Sequence, residues 1–176
     1  ALPILIYQDM SIFPNLTVAE NIAINNELYN HRKLVNWKSV KSIAKEALDH
    51  IGIELPLQAV VGELSVADKQ LIAIARAILN NSKLIIMDEP TSALTRKEVD
   101  KLFKVIRQLQ KEGISTLFVS HKLDEVFEIA DQFTVFRNGK LVVADSAKNI
   151  NDEQFVYYMT GRKLEEAAFT PEKIDH

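Results

Sequence analysis

Lys83-Leu84-Ile85-Ile86-Met87-Asp88-Glu89-Pro90-Thr91-Ser92-Ala93-Leu94-Thr95 is the stretch that decides how this chain folds. Leu84 to Met87 is an uninterrupted apolar run, the pattern of a strand whose sheet is covered by helices on both faces. It stops at two adjacent carboxylates. Pro90 disfavours the α region for the residue before it, so the sequence predicts an extended exit, with Asp88 and Glu89 both near the strand's carboxyl end. Ligands of open α/β sheets bind at that edge. An aspartate and a glutamate side by side suit a division of labour, in which one carboxylate holds Mg²⁺ through its waters and the other orients or deprotonates an attacking water. A strand end with two solvated acids is the plain alternative, and the apolar run followed by Asp-Glu-Pro-Thr-Ser weighs against it.

Downstream, Arg96 to Glu112 reads as a helix: Thr95 and Glu98 form a capping box, Val99, Leu102, Phe103, Ile106 and Leu109 supply one apolar face, and Gly113 ends it. The next apolar run, Ser115 to Ser120, is then the second strand of a strand-helix-strand unit and lies parallel to the first through a right-handed crossover. Its end falls on the same rim. That places His121 beside Asp88 and Glu89, where a neutral imidazole can donate to a phosphate or position water. Further on, Leu123 to Ala130 is a short helix, and Asn138-Gly139 signals a type I′ hairpin between Phe133–Phe136 and Leu141–Ala144. Asp152 to Thr160 is a final helix, followed by a charged tail.

Upstream, Pro3 to Tyr7 reads as a buried strand that ends on the polar Gln8. Thr17 and Glu20 form a capping box for a short helix. Asn25 to Val35 reads as an irregular link. A second helix from about Asn36 carries Trp37, Val40, Ile43, Ala44, Ala47, Leu48 and Ile51 as a core stripe and ends at Gly52. Ser65 precedes a helix through Ile72, Ile74, Ala75 and Ile78; it is either a simple N-cap or part of an anion site made with the helix's unpaired amides.

With 176 residues, 47% hydrophobic and 26% charged, the chain can build one real core. Its formal net charge of -3, with no basic run, argues against a nucleic-acid surface. The absence of cysteine excludes disulfides, thiolate nucleophiles and zinc-thiolate sites. No apolar stretch approaches the roughly twenty residues that span a bilayer. The first residues, Ala1 to Tyr7, carry neither initiator methionine nor basic leader and read as a strand met in mid-domain.

In this order, Gln8, Ser65-Val66-Ala67-Asp68, Asp88-Glu89, Ser92-Ala93-Leu94-Thr95 and His121 resemble the motifs of ATP-binding cassette (ABC) ATPases, and the resemblance covers nearly the whole chain. It implies an α/β fold with a P-loop NTPase-like core, a mostly parallel sheet and a helical subdomain. Residues 17–60 would be that subdomain, 1–16 and 61–164 portions of the RecA-like core, and 165–176 a tail. Asp88 would hold Mg²⁺, Glu89 would be the catalytic base, and His121 the switch histidine. Gln8 would reach both Mg²⁺ and the attacking water. Ser65, Val66, Ala67 and Asp68 would form the signature that grips the γ-phosphate of a nucleotide held by the opposite subunit, and Ser92 would open the D-loop. The usual signature is Leu-Ser-Gly-Gly-Gln; Val66 and Ala67 replace its glycines, which hinders close backbone approach, and Asp68 adds charge.

No Gly-x-x-x-x-Gly-Lys-Ser/Thr occurs, so the phosphate loop is missing from this sequence, as is the N-terminal β-region of the family. The resemblance therefore implies half a site, a chain inactive alone and, because a phosphate-loop strand would lie next to Leu84–Met87 and Leu117–Ser120, a gap in the sheet that is relieved either by direct pairing of the two bordering strands or by self-association, of which self-association is the expected remedy. Leu64 to Gln70, Asp88 to Leu94 and Gly161 to Leu164 are most similar to the first of two fused ATP-binding halves in bacterial monosaccharide importers of the ribose, xylose and galactose type. The expected protein is an ATPase, cytoplasmic and peripheral on the inner face of the cell membrane. Its partners would be a second nucleotide-binding domain, a transmembrane permease and, indirectly, a sugar-binding protein. A soluble ABC-class ATPase and a non-hydrolytic regulatory half-domain are the alternatives.

Overall fold

The structure, a computed structural model, describes residues 4–6, 12–29 and 35–161. Gln8 and the tail at 165–176 lie outside them. Two compact units divide between His121 and Lys122.

The first unit contains β1 (Ile4–Ile6), α1 (Val18–Tyr29), α2 (Trp37–His50), α3 (Val66–Leu79), β2 (Leu84–Asp88), α4 (Arg96–Lys111) and β3 (Ser115–Val119). The strands form a parallel sheet in the order β1-β2-β3. The crossover expected from the sequence is present: α4 buries Val99, Leu102, Phe103, Val105, Ile106 and Leu109, and Phe103 meets Phe118 of β3 edge-on at 5.8 Å between ring centres. The two faces of β2 differ. Ile85 and Met87 are fully buried, whereas Leu84 and Ile86 are half-buried, so the strand is less evenly covered than its apolar run predicts.

The expected gap between β2 and β3 is not there. The two strands pair directly over five residues, from Leu84 opposite Ser115 to Asp88 opposite Val119. β1 occupies the other side of β2, so among the described residues the strand edges left for further pairing are those of β1 and β3.

Thr17 caps α1 as expected: its N–H and hydroxyl donate to Glu20 at 2.7 and 2.6 Å, and its oxygen accepts from the Glu20 N–H at 3.3 Å. The helix runs on to Tyr29 through residues that read as irregular; once a capped first turn is formed, each added residue gains a backbone bond even where the sequence is polar. Asn36 caps α2, and Val40, Ala44, Ala47 and Leu48 are buried as the stripe predicts. Trp37 is the exception. It is 55% exposed, because it sits at the first helical position, beyond the end of the buried stripe.

The second unit contains α5 (Leu123–Ile129), β4 (Gln132–Arg137), β5 (Lys140–Ser146) and α6 (Asp152–Thr160). Its core is Phe133, Val135 and Phe155. Asn138 and Gly139 join the hairpin with φ of 51° and 73°, the pair of positive values that a type I′ turn requires.

Candidate functional site

β2 and β3 end side by side and deliver Asp88, Glu89 and His121 to one rim, as the crossover predicts. The His121 ring Nδ1 lies 3.0 Å from Glu89 Oε1, with both side chains solvent-accessible. Asp88 is exposed and, among the described residues, has neither an ion pair nor a hydrogen bond. A free carboxylate at a strand end fits Mg²⁺, which keeps several waters and takes one or two carboxylates plus substrate oxygens. No group of three or more His, Asp or Glu is placed so that it could hold a metal ion by itself among the described residues.

Glu89 departs from the extended exit read from Pro90. Its φ is 43°, in the left-handed region that non-glycine residues rarely adopt. Tertiary hydrogen bonds override the local preference: the Glu89 N–H donates to the Val119 carbonyl at 2.9 Å, and its carbonyl accepts from the Ser92 N–H at 3.2 Å. Strain of this kind costs roughly 1 to 3 kcal/mol and persists only where the surroundings over-determine it. The bend turns the chain into the 90–94 segment, in which Pro90 and Thr91 are buried and Ser92 is exposed.

Ser65 is the N-cap of α3, so the plain reading of that residue holds in this structure. Its hydroxyl accepts from the Asp68 N–H at 3.1 Å and donates to the Asp68 carboxylate at 3.0 Å. Asp68 in turn faces Lys101 of α4 at 3.4 Å. The two side chains that replace glycines part company here. Val66 is 39% exposed, whereas Ala67 is 4% exposed and directed into the fold. Upstream, the buried Asn21 accepts from the Phe13 N–H at 2.8 Å and donates to the Phe13 and Thr17 carbonyls, fixing the loop at 13–17. That loop is held against the approach to Ser65: the Gly62 N–H donates to the Pro14 carbonyl at 2.8 Å, and a Cβ at Gly62 would meet the same oxygen at 3.0 Å.

One contact joins the two regions. Gln70 of α3 is buried, and its Nε2 donates to the Pro90 carbonyl, directly after Glu89. Sequence reading assigned this amide no role. The signal was its place on the helix, since Ala67, Gln70, Leu71 and Ile74 share one buried face and an amide among them needs a reason. Lys101 was missed as well, because an exposed helix lysine carries no sequence mark.

The family model described as ABC transporter matches residues 4–92. The ribose import ATP-binding protein of Bacillus licheniformis is 42% identical over 161 residues, 92% of this chain and 33% of that protein. The ribose import ATP-binding protein of Streptococcus agalactiae is 40% identical over 168 residues, 96% of this chain and 34% of that protein. The chain spans about a third of the length of these curated relatives. Among solved structures, an ATP-binding cassette in a dimeric post-hydrolysis state with ADP and Pi bound superposes with a TM-score of 0.67 at 23% identity, over 82% of this chain and 62% of that one. The ADP conformation of an ATP-binding cassette of an ABC transporter gives 0.70 at 24% identity, over 89% and 67%. These structures share the fold.

Proposed function

The chain belongs to the ABC transporter family, and from that premise we propose that it is part of the ATP-binding and ATP-hydrolysing subunit of a sugar importer. The observation that carries this reading is the rim itself, where a parallel sheet ends on Asp88, whose side chain has no partner among the described residues, and on a Glu89 whose carboxylate faces His121 at 3.0 Å. Asp88 would hold Mg²⁺, and the ion when bound would neutralise charge on the phosphates. Glu89 orients the attacking water and accepts its proton. His121 donates toward phosphate or water, and Gln8 completes this group. Ser65 and the first-turn residues Val66, Ala67 and Asp68 receive the γ-phosphate of a nucleotide held by a second nucleotide-binding domain, with Ser92 at the same junction. Residues 17–60 are the helical subdomain in this assignment, and 1–16 with 61–164 belong to the core.

Ribose import by the relatives supports the substrate class, a permease as partner and a peripheral place on the inner face of the membrane. No helix among the described residues is long and apolar enough to cross a membrane; in this reading the membrane contact belongs to the permease. Alone, the 176-residue chain binds Mg-ATP poorly, because a phosphate loop supplies most phosphate contacts. It also self-associates through the open edge of β3, where Leu117 and Val119 are 52% and 46% exposed. Light scattering showing a monomer would count against that last point.

The test of the main reading is ATP turnover by the full-length protein with and without Glu89→Gln. Loss of a positioned base lowers turnover by about 10² to 10⁴-fold and leaves nucleotide binding intact. Equal turnover would show that hydrolysis happens elsewhere and favour the regulatory half-domain. Co-purification with a membrane subunit separates the importer from a soluble ABC ATPase.

A further inference from the structure

We infer that Gln70 is a positioning residue for Glu89: its buried amide holds the Pro90 carbonyl and so fixes the left-handed bend that aims the glutamate at His121 and the rim. The inference rests on the assignment of Glu89 as the base. Glu89 is bounded on three sides by hydrogen bonds. Its N–H is taken by Val119, its carbonyl by Ser92, and the next carbonyl along the chain by Gln70. The first two come from the strand and from the turn itself. Gln70 ties the bend to α3, a helix whose neighbouring residues Leu71, Ile72, Ala73, Ile74 and Ala75 are all buried.

The orientation of the amide is forced, because turning it over would set Oε1 against the Pro90 oxygen. That leaves Oε1 buried, with no hydrogen-bond partner among the described residues. Native proteins rarely leave a buried acceptor unmatched, since it opposes folding. A glutamine in the middle of an apolar face, with half of its hydrogen-bonding capacity unused, is a poor choice for stability. What it uniquely supplies is a donor at a fixed distance from the helix, pointed at the peptide that follows Glu89.

The test uses the full-length protein carrying Gln70→Leu, with Gln70→Met as a second variant of similar length. Both remove the donor and the unmatched acceptor together but leave the buried Pro90 carbonyl without its donor, so melting temperature falls by a few degrees and kcat is compared well below it. Misplacing the base lowers kcat by about ten- to a hundredfold, while KM for ATP stays within about twofold, since binding does not depend on it. If Gln70 acts through Glu89, adding Gln70→Leu to Glu89→Gln reduces the residual turnover no further. Parental kcat in both single variants, or a further loss in the double variant as large as in the single, would overturn the inference while leaving the role of Glu89 intact. Failure of both variants to fold would make the amide a stability element and overturn it too. Full turnover by Glu89→Gln would instead remove the reading on which the inference rests.

Discussion

The carboxylate rim and the start of α3 are both sequence-marked, yet they are in opposite states. At the rim, Asp88 has no side-chain partner among the described residues, Glu89 is held in a strained backbone and His121 is exposed. At the start of α3, Ser65 and Asp68 close on each other, and Lys101 seals the pair from α4. Asp88 can take a ligand without giving up a contact to any described residue, whereas Glu89 keeps His121 at 3.0 Å. The α3 cap already has its hydrogen bonds, so an anion arriving there must exchange with them. A motif that looks weakened by bulk is thus also occupied by its own helix, and the two effects separate by experiment.

The largest effect is expected at the open end of the comparison. Asp88→Asn in the full-length protein removes an exposed, unpartnered carboxylate, so folding changes little, because surface positions without partners usually shift stability by no more than about 0.5 kcal/mol. Turnover should nevertheless fall by about a hundredfold or more at low Mg²⁺, with partial recovery as Mg²⁺ is raised. A loss that Mg²⁺ does not touch would mean that Asp88 is not on the metal. Next in size is the closed end. Ser65→Ala should cost about 1 kcal/mol of stability by loss of the cap, whereas Ser65→Gly should cost only a few tenths. If Ser65 also serves a nucleotide, both variants lose ATP turnover alike despite their different stabilities; turnover that tracks urea midpoint would make Ser65 a cap and nothing more.

This contrast also marks what could be read from the chain. His121 could be placed beside Glu89 because handedness of the β2-α4-β3 crossover is a general rule, and both Thr capping boxes could be read because they are local. The bend at Glu89 could not. Pro90 argues locally for an extended residue, and the Val119 carbonyl that overrides it is thirty residues away. The placement of β1 and β3 on either side of β2 was equally hidden, since apolar runs state that strands are buried but not which are neighbours. Trp37 satisfied the helical period and still lies outside the core, because periodicity does not say where packing stops.

A smaller effect separates the two residues that stand in place of glycines. Val66 is partly exposed at the first turn of α3, so Val66→Gly should raise turnover by about threefold, equivalent to about 0.65 kcal/mol. Ala67 points inward, and Ala67→Gly should not raise turnover but should cost about 1 kcal/mol of stability through helix propensity. Equal gains from both would show that the backbone, and not the Val66 side chain, limits approach.

The smallest effect is the response of this capped region to acid. Glu98 accepts from the Thr95 N–H and hydroxyl, both at 2.8 Å, and these bonds, followed by one from Ser65, hold its carboxyl below the ordinary 4.5. Glu112 is likewise lowered, first by its hydrogen bond to His50, as is Glu20 by the Thr17 hydroxyl and N–H. A carboxyl whose folded pKa is depressed stabilises the fold fully above its unfolded value and loses that contribution as pH falls through the folded value. Stability should therefore hold down to about pH 5 and decline below about pH 4.5. Glutamine fits the same capping position without titrating, so Glu98→Gln should flatten part of that decline. Urea midpoints measured from neutral pH down into this acid range decide it: parallel curves for the Glu98 variant and the parent would show that the cap joined to Ser65 contributes nothing to acid sensitivity.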